Sequence, residues 1–147
     1  MATTFQANEF STVLPEGLKD KTVNIFSLTD EGPSELGVVI ARDRPLHGET
    51  LDTYAERQFK LLQQRLPLFR VLGKTMIEVD VEPNKRPAVQ VDYAWQSGEG
   101  PMHQRQVIVF AEAAGVVLLL TATSKTRIEP KWEAVFNEMI VNLRLRT

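Results

Sequence analysis

The side chains with chemistry to offer are few and scattered. The chain has two histidines, His47 in a loop and His103 near the start of a strand-like run, and no cysteine. Neither histidine sits in a metal-ligand spacing such as HExxH, and without cysteine there is no thiolate nucleophile, disulfide or cysteine metal site. Glu78, Asp80 and Glu82 alternate along one run, which could in principle hold a cation; three carboxylates at that spacing read better as a solvated strand face. GxSxG, Walker and GxGxxG patterns are missing, and the glycines fall where turns are expected. Arg42 and Arg44 before Pro45 could bind an anion but read as solvated or ion-paired, and Arg144 and Arg146 suit the C-terminal dipole of a helix. No nucleophile, base and electrophile can be assembled, so the residues do not support an enzyme, and neither a cofactor nor a metal is expected.

What remains is a set of neutral amides in apolar company. Gln58 lies inside the apolar stripe of a helix, where an amide without partners costs about 1–3 kcal/mol. Either it bonds within the protein, as most buried polar groups do, or it faces a groove shared with a guest. Gln104 and Gln106 share a strand face with Met102, Ile108 and Phe110. Amides offer hydrogen bonds without the desolvation cost of charge, and methionine adapts its shape, so this mixed face is a candidate binding surface. Val23, Ile25, Val38 and Ile40 are expected to supply its apolar floor.

The elements that must position these residues are legible from periodicity. Pro87–Ser124 contains three strand-like runs separated by SGEGP and by Ala113–Ala114, too little for crossover helices, so they form an antiparallel meander. Alternation places Val89, Val91, Tyr93 and Trp95 on one face. TVNIFSL (22–28) and LGVVIAR (36–42) read as a hairpin with a long loop, with Val38 and Ile40 sharing a face. Thr50 or Asp52 caps a helix through Leu66 whose stripe is Leu51, Tyr54, Ala55, Leu61 and Leu62, ended by Pro67. A strand follows over 71–82, with PNKRP as a turn. Pro130 starts a second helix with Trp132, Val135, Phe136, Met139, Ile140 and Leu143 at helical spacing. Two helices and about six mostly antiparallel strands predict an α+β fold with a curved sheet; the helices can lie on one side of it or on both.

At 147 residues, 43% hydrophobic and 24% charged, the chain is read as one domain, 1–147, with a real core. A formal charge of −2 gives no basic footprint for nucleic acid. MATTFQANEF has no signal-peptide pattern, and the longest apolar run, Val116–Leu120, is far short of the roughly 20 residues that span a bilayer, so a cytoplasmic protein, not membrane-embedded, is expected.

In order and spacing, LPEGLKDKTVNIFSL, LGVVIARDRPLHGETLDTYAERQFKLLQQRLPLF and EPKWEAVFNEMIVNL resemble the Eag chaperones of bacterial type VI secretion, relatives of DcrB and the PsbP/Mog1-like fold. LPEGxxDxTVNIF and IARDRPLxGETLxxYxxRQ are the most specific pieces, and neither is a catalytic signature. The resemblance implies a cytoplasmic homodimer. Its concave sheet would shield the N-terminal transmembrane helices of a toxic effector, of PAAR or Rhs type, before loading on the secretion spike. It implies apolar groove residues Val23, Ile25, Val38, Ile40, Leu62 and Leu66, and polar contacts at Gln58 and one of Gln104 or Gln106. A PsbP/Mog1-like adaptor that binds a folded protein through its surface is the alternative.

Overall fold

The computed structural model describes residues 3–31, 34–79, 85–125 and 127–145. The strands are β1 (Thr3–Gln6), β2 (Ser11–Leu14), β3 (Asn24–Ser27), β4 (Gly37–Asp43), β5 (Arg70–Val79), β6 (Arg86–Ser97), β7 (Gly100–Ala111) and β8 (Val116–Ser124); the helices are α1 (Leu51–Arg65) and α2 (Pro130–Val141). Six strands form one antiparallel sheet in the order β3-β4-β8-β7-β6-β5, and β1 and β2 form a separate hairpin. The α+β class, the two helices and the six-stranded antiparallel sheet all match the sequence expectation.

The meander is β6, β7 and β8. Its first turn closes through Ser97 Oγ donating to the Gly100 carbonyl at 2.8 Å, and its second is a 3-10 turn, Glu112–Ala114, that ends at Gly115 in the left-handed region (φ 68°). A side chain at that φ is strained, which is why a glycine ends the turn. β4 then pairs with β8, over Gly37↔Thr123 to Asp43↔Val117, so the β3–β4 hairpin extends the meander on one side while β5 closes the other. β5 is a ten-residue edge strand whose register slips between Val71 and Gly73.

α1 starts where its cap requires: Thr50 Oγ1 accepts the Thr53 N–H, and Thr53 Oγ1 accepts the Thr50 N–H in return. α2 begins at Pro130, whose missing N–H is one a helix leaves unbonded there anyway.

The helices lie on opposite faces, the choice periodicity had left open. On one face Phe136 and Ile140 of α2, with Trp132, Met139 and Leu143, pack on Val38, Val79, Ala88, Val107, Val109, Leu120 and Ala122. Val135, expected in that stripe, is 38% exposed and lies outside the cluster. On the other face Tyr54 and Ala55 of α1, flanked by Leu51 and Phe59, pack on Val89, Ile108, Val117, Phe110 and Leu119. Asp80 and Glu82 of the alternating carboxylates, the first residues of PNKRP and Arg146 lie outside the described residues.

Candidate functional site

Cross-strand register sorts the side chains by face. Ile25 pairs with Val39, Val39 with Thr121, Thr121 with Gln106 and Gln106 with Val91, so these five form one transverse row. A second row runs Ser27, Gly37, Thr123, Gln104 and Tyr93. Both belong to the α1 face, because Ile108 and Val89 under α1 lie two residues from Gln106 and Val91.

α1 covers this face unevenly. Over β6 and β7, Val89, Val91, Tyr93, Gln106 and Ile108 are buried, and the Phe69 ring lies 5.2 Å from that of Tyr93. Towards the β3 edge the cover thins: Thr121, Thr123, Val39 and Leu119 are half-buried, and Ile25 is 74% exposed. The result is a shallow apolar surface, floored by β8 and β4, open on the β3 side and bordered by the stripe of α1.

The two amides beside this floor, on β7, differ in how their hydrogen bonds close. Gln104 accepts from Trp95 Nε1 at 2.7 Å and donates to Thr123 Oγ1 at 2.9 Å, so both ends are engaged. Gln106 donates to Thr121 Oγ1 at 3.1 Å, but its Oε1 is buried without a hydrogen-bond partner among the described residues. Its side chain is almost wholly out of solvent, at 4% exposure. An acceptor left in that condition costs about 1–3 kcal/mol. Alternation could not separate the two glutamines, since both point the same way; the bonds of their neighbours do.

The other expected site residues divide. Gln58, one turn beyond Tyr54 on the α1 stripe, is half-buried, and its side chain has no hydrogen bond among the described residues. Leu62, Leu66 and Met102 are half-buried, with Met102 opposite Trp95 on the same face as the amides. Val23 and Ile25 are exposed at the β3 edge. Val38 and Ile40 are not brought together with these: they occupy the opposite face, Val38 in the core under α2 and Ile40 packed against it. The reason is register. β4 is apolar on both sides, and its pairing with β8 turns Val39 and Ala41, not Val38 and Ile40, towards the amides.

A further group was not read as a unit from the sequence. Asp43, at the end of β4, accepts the Tyr54 hydroxyl at 2.7 Å. Glu49 takes the Arg57 guanidinium in two bonds of 2.7 and 2.8 Å and also accepts the Leu46 N–H at 2.9 Å, while Arg57 stacks 5.0 Å above the Tyr54 ring. These are the fixed letters of IARDRPLxGETLxxYxxRQ, which is the signal that could have found them.

The family model for DcrB matches residues 9–141. The chain belongs to the DcrB family. It is 27% identical over 141 residues to Effector EagT6 of Pseudomonas aeruginosa, covering 94% of this chain and 95% of that protein. This bears out the Eag-like recognition made on motif order. A crystal structure of PA94 from Pseudomonas aeruginosa, a protein of unknown function, superposes with a TM-score of 0.80 at 26% identity, over 99% of this chain and 98% of that one. Among the described residues no helix is long and apolar enough to cross a membrane.

Proposed function

We propose that this DcrB-family protein is a type VI secretion effector chaperone. In this reading it holds the N-terminal transmembrane helices of a PAAR- or Rhs-type toxin effector in the cytoplasm, as a homodimer, until the effector is loaded on the spike. The observation that carries the reading is the half-open α1 face, with Gln106 Oε1 buried beside its floor and without a partner among the described residues. Likeness to EagT6 across nearly the whole chain supports it.

The physics of the role is a matching of surfaces. A transmembrane helix in water exposes apolar area worth about 25 cal/mol per Å² once covered. A carrier must offer comparable area and yet release the guest. Ile25, Val39 and Leu119 supply part of that area, with Leu62 and Leu66 on the α1 side. Half-buried Gln58 adds a hydrogen-bonding group that a helix with a polar side chain satisfies, as buried polar residues do between helices inside membranes, and the Gln106 oxygen joins it once the cover over β7 shifts. Val23 and Met102 extend the two ends of the surface.

Co-expression with an effector candidate, with and without its N-terminal apolar helices, tests the proposal. Co-purification that depends on those helices is the expected result; equal recovery after their deletion refutes it.

A further inference from the structure

The cluster formed by Asp43, Glu49, Tyr54 and Arg57 contains no groove residue, yet it joins three pieces that the groove depends on. Asp43 belongs to the sheet, Glu49 to the loop between β4 and α1, and Tyr54 and Arg57 to the helix. The bonds are of the stronger kind: a phenol to a carboxylate, and a guanidinium held in two parallel bonds. Tyr54 and the Glu49 side chain are shielded, Tyr54 fully buried with its ring edge-on to Phe110 at 6.1 Å, while Asp43 and Arg57 keep a side open to solvent. Burial first, and then the Asp43 bond, push the Tyr54 hydroxyl above its ordinary pKa, so it stays a donor. The Glu49 bond in turn raises the Arg57 pKa. The loop is tied as well: the Glu49 N–H donates to the Leu46 carbonyl at 3.0 Å while its carboxylate accepts from the Leu46 N–H.

All of this grips the first half of α1. The second half, from Gln58 onward, has half-buried Phe59 and Leu62 but no fully buried residue and no side-chain hydrogen bond to the sheet among the described residues. Just past the helix the Pro67 carbonyl accepts the Gln96 N–H of β6 at 2.9 Å, and Phe59 packs on the cluster beneath α1, so the far end is pinned near one point and the N-terminal bonds set the tilt about it. That tilt determines how far Gln58, Leu62 and Leu66 stand from the floor at Gln106, Thr121 and Val39.

We propose that Asp43, Glu49, Tyr54 and Arg57 act as positioning residues, a latch that fixes the angle of α1 across the sheet and with it the width of the guest-binding groove; the functional half of this statement rests on the carrier reading above. Tyr54→Phe keeps the ring and removes the hydroxyl. Asp43→Asn keeps one oxygen that can accept from Tyr54 but loses the charge and the second acceptor, which takes the Arg44 N–H at 2.8 Å. Phe136→Leu loosens the core on the other face and serves as a stability control.

The test has two readouts. The chain has no cysteine, so spin labels at Gln63→Cys on α1 and Ser27→Cys on β3 report helix placement without a guest. A fluorescent synthetic transmembrane helix reports retention. Tyr54→Phe is expected to shift or broaden the label distance and weaken peptide binding about tenfold. Asp43→Asn should fall between the parent and Tyr54→Phe in both, and Phe136→Leu should lower the melting temperature while leaving both unchanged. An unaltered distance in Tyr54→Phe overturns the latch, as does equal peptide loss in Phe136→Leu. Failure of the parent chain to hold any peptide, with the distances responding as expected, strikes the carrier reading instead.

Discussion

Gln106 gives the sharpest prediction, because folding and guest binding should pull it in opposite directions. Replacing it with methionine keeps the length and much of the volume while removing the amide. In the free protein the change forfeits one hydrogen bond, from Nε2 to Thr121 Oγ1, worth about 1 kcal/mol net. It also removes the buried Oε1 that lacks a partner, a relief of about 1–3 kcal/mol. The balance runs from neutral to about 2 kcal/mol of added stability, or a rise of up to about 8 °C in melting temperature at about 4 °C per kcal/mol. If a guest donates to that oxygen, the same change weakens its binding by about tenfold or more, since a lost bond of about 1.4 kcal/mol is a factor of ten. Thermal melts of the free chain and titration with a transmembrane peptide measure the two sides. A clear fall in melting temperature would show that the amide is satisfied within the fold, and unchanged affinity would show that no guest reaches it.

The register makes neighbouring valines on β4 behave differently. Val38→Ala should cost on the order of 2 kcal/mol in urea unfolding, as a buried side chain under α2, whereas Val39→Ser, at a half-buried position, should cost about 1 kcal/mol and weaken peptide retention. On the α2 face, Arg105 is largely buried and bonded twice to Asp92, at 2.7 and 2.9 Å, with Glu133 at 3.5 Å. Asp92→Ala removes both short bonds and leaves the half-exposed Glu133 as the guanidinium's partner; with Asp92 itself 37% exposed the expected cost is about 1–2 kcal/mol, again read by urea unfolding. The bond from Arg57 holds the Glu49 carboxyl below its ordinary value of 4.5. Its folded pKa is therefore the lower one, so the stability it contributes is present above 4.5 and is lost as pH falls from there through the folded value. Melts from pH 6 to pH 2 (a range of about four units around the carboxylate pKa values) should show a shallower acid decline in Glu49→Gln than in the parent, and parallel curves would exclude the bond as a source of acid sensitivity.

Much of the fold was legible because apolar spacing and breakers agreed. Thr50 and Pro67 bracket α1, Pro130 opens α2, and the short gaps around β7 allow only a meander. The N-terminal hairpin is not among the expected strands: Thr3–Gln6 and Ser11–Leu14 are four residues each and largely polar, too short for period two to mark them. The side of the sheet each helix takes is decided by long-range packing, which no local pattern carries. The candidate site suffered in the same way. GVVIAR is apolar at every position that matters, so period two cannot say which valines face the amides; that is fixed only when β4 meets β8. The difference between Gln104 and Gln106 was likewise out of reach, since it rests on Trp95 engaging one and not the other.

The slipped register of β5 has a consequence for life at high concentration. A ten-residue outer strand with Val71, Leu72 and Met76 exposed is a template on which further copies could stack into fibrils. The extra residue between Val71 and Gly73 breaks the even spacing of free amide groups, and Lys74 on the same strand would meet its own charge in a symmetric pairing. The molecule can thus keep greasy surface open on one flank while its opposite rim is made a poor seed for polymerisation.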